Sequence, residues 1–233
     1  MKKMACLIVG LTTMATMALG QGQSNVFSAN AVGYVKITAN RGNLVLIRTD
    51  FLNISGSNDT MQSLIGDQVP LNSQAHIWDR DTDSYVTELR GGRAGDWPSN
   101  GREVAPGDAF WIEIPDSAPD ASYDMFVMGE VPGDNNNSES NNIPGIDFDA
   151  IGFPYPVATN WGDTSLAIDA PLGSQVHFWD PTNQTYVSAI KGGRAGDWDA
   201  ATKAKMIQPG EAFWLEVGAG TLDWDVTKPY NYP

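Results

Sequence analysis

A seven-residue segment with sequence GGRAGDW occurs twice in this chain, at residues 91–97 and 192–198. An arginine, an aspartate and a tryptophan on one glycine-turned loop could hydrogen-bond sugar hydroxyls and stack on a sugar ring. The candidate glycan-binding residues are Arg93, Asp96 and Trp97 in the first copy and Arg194, Asp197 and Trp198 in the second. The alternative is a scaffold loop in which the arginine pairs with the aspartate and the tryptophan plugs the sheet edge.

The two histidines form a second candidate site. His76 and His177 each stand two residues before a tryptophan, Trp78 or Trp179. Residues i and i+2 of a strand share a face, so each pair predicts an aromatic platform with a polar edge, suited to sugar rings. The alternative is a half-buried strand face with a satisfied imidazole. No nucleophile motif accompanies either histidine, so we expect no catalytic residues and a non-enzymatic protein.

Alternating carboxylates at Asp79, Asp81 and Asp83 resemble part of a calcium loop. The glycine and the distal glutamate of that loop are missing, and of the three acids the second copy keeps only Asp180. Calcium is the one cofactor that this pattern suggests. The alternative is an Asp-rich hairpin turn without metal.

These residues lie within a tandem repeat. Residues 70–97 and 171–198 are identical at 16 of 28 positions without a gap, and residues 106–113 match residues 209–216. A fainter match aligns residues 32–35 with residues 128–131. Two copies of domain size predict two homologous domains rather than solenoid turns.

Within each copy, short runs of β-branched and aromatic residues alternate with turn residues, which predicts strands. The predicted strands of the first copy are 32–38, 44–49, 74–79, 85–89, 109–114 and 123–131. One short helix per copy is expected, at 59–65 and at 163–168. The predicted fold class is all-β, with two tandem β-sandwich or barrel-like domains. The domains are predicted at 21–131 and 146–233, joined by a polar linker at 132–145.

The first twenty residues have the pattern of a secretory signal peptide. Lys2 and Lys3 precede an apolar stretch, and a small-residue site predicts cleavage before Gln21. We therefore expect a protein that is secreted, extracellular or held at the cell surface. Cleavage would remove Cys6, the only cysteine, and leave 12 basic against 28 acidic residues, a net charge of −16. No later apolar run is long enough to predict a membrane span.

Composition excludes other classes. The full chain of 233 residues has a net charge of −14, which is the wrong sign for a nucleic-acid partner. One cysteine and two histidines cannot build a zinc finger or a disulfide scaffold.

Several motifs together resemble those of secreted two-repeat β proteins from Verrucomicrobia and related bacteria. These motifs are SANAVGYV at 28–35, the repeated Trp-Asp…Tyr hairpins beginning at Trp78 and Trp179, the Pro-Gly-acid-Ala-Phe-Trp segments at 106–111 and 209–214, and Gly-Glu-Val-Pro at 129–132. The resemblance implies a secreted β-rich protein and implies no particular activity.

Export, repetition and the lack of a catalytic constellation favour a structural or adhesive extracellular protein. Its expected partners are other copies of itself or further surface components, since an open first strand can pair with a neighbouring edge. The alternative is a bivalent carbohydrate-binding protein that uses the tryptophans of the two copies.

Overall fold

The computed structural model describes residues 32–54, 59–91, 95–132, 140–193 and 196–230. The predicted signal peptide, Arg93 and Arg194 lie outside these ranges. Strands dominate the described residues and the three helices are short, so the all-β fold class is confirmed. No helix in the described ranges is long and apolar enough to cross a membrane. We refer to residues 32–132 as the N-terminal half and to residues 140–230 as the C-terminal half.

The N-terminal half contains a four-stranded antiparallel sheet and a two-stranded ribbon. Its elements are β1 (Val32–Asn40), β2 (Leu44–Arg48), α1 (Met61–Leu64), β3 (Gln74–Asp79), β4 (Ser84–Leu89), β5 (Ala109–Glu113) and β6 (Ser122–Glu130). The sheet has the order β2-β5-β3-β4, and β1 pairs with β6 in the ribbon.

The C-terminal half has a four-stranded sheet of corresponding order. Its elements are β7 (Ser140–Ile146), β8 (Phe148–Ile151), β9 (Thr159–Asn160), a 3-10 turn (Trp161–Asp163), α2 (Ser165–Asp169), β10 (Gln175–Asp180), β11 (Thr185–Ile190), α3 (Ala200–Lys203), β12 (Met206–Ile207), β13 (Phe213–Glu216) and β14 (Leu222–Thr227). The sheet order is β8-β13-β10-β11, the ribbon is β7–β14, and β9 pairs with β12.

Two expectations about the boundary between the repeats are wrong. Strand β7 begins at Ser140, inside the segment predicted as a polar linker, because it pairs with the last strand of its own half. Residues 32–35 and 128–131 are not equivalent positions in two repeats. They lie on strands β1 and β6, which pair with each other, Val32 opposite Glu130 and Tyr34 opposite Met128.

The inner strands β5 and β13 of the two four-stranded sheets are buried on both faces. On β5, Phe110 and Ile112 enter the core of the N-terminal half, whereas Ala109 and Trp111 belong to a separate cluster shared by both halves. Phe213 on β13 likewise faces the core of its own half and its neighbour Trp214 the shared cluster. Period-2 alternation thus builds three cores from two sheets, and the two sheets pack face to face as in a sandwich.

Backbone contacts also cross between the halves in a reciprocal way. Ile47 at the end of β2 forms an isolated bridge with Glu211 of the C-terminal half, and Ile151 at the end of β8 forms one with Asp108 of the N-terminal half. Each half therefore caps the outer edge strand of the other, so β2 and β8 are not free sheet edges.

A buried ion pair fills the centre of this contact. Arg48 and Asp50 are 0% and 1% exposed, and Arg48 Nη1 lies 2.8 Å from Asp50 Oδ1. Arg48 Nη2 also donates to the carbonyl of Tyr155 at 3.3 Å. Gly152 provides the space, because a Cβ at this position would lie 2.1 Å from Arg48 Cδ. The side chain of Arg48 from one half thus packs against the backbone at Gly152 of the other half.

Candidate functional site

The tryptophans of the two GGRAGDW segments are core residues. Trp97 is 3% exposed and donates its indole N–H to the carbonyl of Gly66 at 2.9 Å. Trp198 is 4% exposed and donates to the carbonyl of Ala167 at 2.8 Å. A sugar ring needs an accessible aromatic face, so the glycan-stacking role predicted for these two residues is wrong. Both side chains fill the core next to the short helices α1 and α2.

The aspartates of the same segments form local hydrogen bonds, within the loop or to a nearby lysine. The carbonyl of Asp96 accepts a hydrogen bond from the backbone N–H of Gly91 at 3.1 Å, which closes the turn. The carboxylate of Asp197 lies 2.7 Å from Lys203 Nζ, and this hydrogen bond lowers the pKa of Asp197. Neither aspartate shares an accessible surface with its tryptophan, so the described residues of the two segments do not form the predicted rim site.

The Asp-rich turn does not provide a calcium site. Both carboxylate oxygens of Asp79 bind the Arg102 guanidinium, at 2.8 and 3.1 Å. Asp79 Oδ1 also accepts the backbone N–H of Asp81, and Asp83 adopts a positive φ of 47° to close the turn. No group of three or more His, Cys, Asp or Glu residues in the described ranges is arranged to hold a metal ion. The metal role predicted for Asp79, Asp81 and Asp83 is therefore wrong.

The His-Trp faces of β3 and β10 are turned toward the opposite half rather than toward open solvent. Trp78 packs edge-on against Trp214, with ring centroids 4.8 Å apart. Trp111 and Trp179 form the matching pair, also at 4.8 Å. Trp78 further donates to Asp149 Oδ1 at 3.1 Å. The two predicted platforms are thus not independent, because each is completed by residues of the other half.

One solvent-accessible part of this contact forms a cavity of about 380 Å³, which we call the aromatic groove. Its lining residues are Trp78, Tyr85, Phe148, His177, Tyr186 and Trp214. Tyr85, Phe148 and Tyr186 are each more than two-fifths exposed, so part of each side chain is accessible to a ligand. Clustered aromatic faces with a few polar tips are typical of sites that bind small molecules.

The polar tips of the groove are phenols and one imidazole. Trp111 donates its indole N–H to Tyr85 Oη at 2.9 Å, which leaves the phenolic hydrogen of Tyr85 available to donate. Burial raises the pKa of Tyr186 to about 12, and the neighbouring Tyr85 adds to this shift. Both phenols are therefore neutral near pH 7 and can donate a hydrogen bond to a hydroxyl oxygen.

The two histidines differ in how many of their ring nitrogens form a hydrogen bond. His76 bonds Thr87 Oγ1 at 2.9 Å through Nδ1 and Glu113 Oε2 at 3.3 Å through Nε2. His177 bonds Ser188 Oγ at 2.7 Å through Nδ1. Within the described part of the chain, no partner bonds Nε2 of His177, and Oε2 of Glu216, the counterpart of Glu113, accepts a hydrogen bond from Gln175 instead. Of the two imidazoles, only His177 lines the groove.

Sequence reasoning identified His177 and Trp78 but missed Tyr85, Tyr186 and Phe148. A signal was present for the tyrosines, since both occupy the same position of the repeated hairpin. Phe148 had no such signal, because its counterpart is Leu44. Comparisons with protein-family models, with curated proteins and with solved structures found no match to this chain.

Proposed function

We propose that this protein is a secreted, non-enzymatic component of the extracellular space or cell surface that associates with further copies of itself through sheet edges. The observation that carries the proposal is the position of β4 and β11. Each lies at the end of its four-stranded sheet, with no further strand beyond it among the described residues. Outer N–H and C=O groups of such strands can pair with another chain.

The side chains of these two strands do not protect the edges. Strand β11 contains no charged residue and is exposed over most of its length. Strand β4 contains one, Glu88, whose carboxylate is turned inward to accept the backbone N–H of Arg102. Leu89 and Ile190, at equivalent positions of the two strands, are 49% and 58% exposed. Soluble proteins usually shield edges with lysines, prolines or bulges, so this composition favours pairing.

The presence of both β4 and β11 on one molecule also permits growth beyond a dimer. If the β4 edge of one copy pairs with the β11 edge of the next, the contact is heterologous and each added copy presents a new edge. Pairing of one edge type with itself would instead stop at a closed dimer. Open-ended growth supports a structural or adhesive role outside the cell.

The test measures molar mass by light scattering over a range of protein concentrations. We expect the mass to rise with concentration in the wild type. Leu89→Lys and Ile190→Lys should each reduce the rise, because a lysine on the edge opposes pairing. Ile54→Lys is the matched control, since Ile54 is 66% exposed in a turn and does not belong to any strand. A monomer at every concentration, or equal effects of all three variants, would contradict the proposal.

Carbohydrate binding is a second candidate function, and the aromatic groove favours it. Exposed rings of Tyr85, Phe148 and Tyr186 can stack on sugar C–H faces, and the phenols and His177 Nε2 can hydrogen-bond hydroxyls. In this form the protein has one composite site between the halves rather than one site on each repeat.

A glycan array followed by titration calorimetry tests this candidate. Phe148→Ala and His177→Ala should each weaken the binding of any glycan found. His76→Ala is the matched control, because both ring nitrogens of His76 are occupied and it does not line the groove. An array without a hit, or equal losses in the two histidine variants, would reject the candidate.

A further inference from the structure

A second cavity, of about 660 Å³, lies at a different part of the contact between the halves. We call it the inter-half cleft. One wall comes from β1 and β2, and the other from β10, β11, α3 and the loop before β13. The apolar lining residues are Ile37, Val45, Leu46, Phe178, Trp179, Pro181, Val187, Ala189, Ala201, Pro209, Gly210 and Ala212, and the polar ones are Lys36, Thr38, Asp180, Thr202, Lys205 and Glu211. Cavities of roughly 300–1,000 Å³ at such boundaries are typical of ligand sites.

The equivalent place in the N-terminal half is largely closed. The cavity there is about 190 Å³ and is lined by Trp78, Arg80, Arg102 and five neighbours. Arg80 Nε lies 3.3 Å from Asp149 Oδ1, and Arg102 binds both carboxylate oxygens of Asp79. Two guanidinium groups held by buried carboxylates thus occupy the space.

The C-terminal half has neither of these two arginines at the corresponding positions. Pro181 stands at the position that corresponds to Arg80, and Lys205 at the position that corresponds to Arg102. The proline ring is too short to cross the cavity. The Lys205 ammonium lies over the Phe178 ring, 5.5 Å from its centroid, and pairs with Glu211. The two copies therefore differ at this place: the guanidinium groups fill it in the N-terminal half, and a more open apolar cleft is present in the C-terminal half.

The charges around the cleft are matched internally. Lys205 Nζ lies 2.5 Å from Glu211 Oε1, and Lys36 Nζ lies 2.7 Å from Asp124 Oδ2. The carboxylate of Asp180 accepts hydrogen bonds from its own turn, at Thr182 and Asn183. A charged ligand would have to break one of these pairs, whereas an uncharged ligand would only cover apolar surface.

We propose that the inter-half cleft binds a neutral, largely apolar small molecule. The favourable free energy comes from burial of its surface against the accessible apolar side chains Trp179, Val187 and Ile37. Val45, Leu46 and Phe178 also line the cleft but are already at most 7% exposed. This role is independent of edge association, although Val187 and Ala189 of β11 contribute to the wall.

The test uses two dyes that differ by one sulfonate group, the neutral N-phenyl-1-naphthylamine and the anionic 1-anilinonaphthalene-8-sulfonate. In fluorescence titrations of the whole protein, the neutral dye should saturate one site and bind about tenfold or more tightly than the anionic dye. Pro181→Arg, which restores the plug beside Glu211, and Ala201→Trp, which fills the cleft from α3, should each weaken the neutral dye by about tenfold.

Ala204→Trp is the matched control, because Ala204 is exposed at the end of α3 and does not line the cleft. It should leave dye affinity unchanged, and circular dichroism should show that all three variants are folded. Three results would overturn the proposal: no saturable binding of the neutral dye, equal affinity for the two dyes, or binding that Pro181→Arg and Ala201→Trp leave unchanged. Molar mass measured in the same samples separates loss of dye binding from loss of self-association.

Discussion

The fit between Arg48 and Gly152 predicts that the smallest possible side chain at position 152 is strongly destabilising. In Gly152→Ala the new Cβ would lie 2.1 Å from Arg48 Cδ and 3.1 Å from Cγ and Nε, well inside normal contact distance. Arg48 cannot swing away, because it is fully buried and bound to Asp50 and to the carbonyl of Tyr155. The variant must therefore separate the pair or push the halves apart.

The expected cost follows from these two outcomes. Overpacking a core costs about 1–3 kcal/mol, and breaking a buried ion pair costs about 3–5 kcal/mol. We expect Gly152→Ala to lower the free energy of unfolding by about 1–5 kcal/mol, at the upper end if the ion pair breaks. Urea unfolding followed by tryptophan fluorescence measures this value. Gly192→Ala is the matched control, since a Cβ at Gly192 meets no atom within 4 Å, and it should change stability by less than about 1 kcal/mol.

A double-mutant cycle identifies the cause. In an Arg48→Ala/Asp50→Ala background the obstructing side chain and its partner are both absent, so adding Gly152→Ala should cost less than about 1 kcal/mol. A stability of Gly152→Ala within about 1 kcal/mol of the wild type would contradict this prediction. The same cost in both backgrounds would also contradict it, because the cause would then not be Arg48.

Further predictions concern other buried groups. Trp97→Ala and Trp198→Ala should each lower the free energy of unfolding by about 3–5 kcal/mol in urea titrations. An unchanged free energy of unfolding would contradict the buried position of these two side chains. Burial raises the pKa of Asp50 from 3.8 to about 6, against the opposing effect of Arg48. The folded state then binds this proton more tightly than the unfolded chain. The wild type should therefore gain stability relative to Asp50→Asn as the pH falls from about 7 to about 4. Parallel plots of unfolding free energy against pH for the two proteins would contradict this. Calcium or EDTA should leave the Tm unchanged, because the carboxylate of Asp79 is held by arginine; a rise above about 4 °C with calcium would indicate a site.

Local features of the fold were predictable from the sequence. Alternating apolar residues placed β3 at its observed bounds, Gln74–Asp79, and the matched positions of Trp97 and Trp198 already favoured a scaffold role. Such patterns work because strand alternation and turn chemistry depend on near neighbours in the chain.

The contact between the halves could not be predicted in the same way. Periodicity indicates that His76 and Trp78 share a face, but it does not indicate whether solvent or a second sheet covers that face. Arg48 ends an apolar strand, and nothing near it in sequence signals that its guanidinium is buried, since Gly152 lies in the other half. The inter-half cleft depends on the difference between Pro181 and Arg80, which has meaning only once the two sheets are packed together.

Hydrogen exchange of the backbone amides at low and high protein concentration tests edge association most directly. The proposal predicts that amides of β4 (Ser84–Leu89) and β11 (Thr185–Ile190) gain protection as concentration rises, whereas those of β1 (Val32–Asn40) do not. Unchanged protection of β4 and β11 across that range, or protection that appears only on β1, would contradict it.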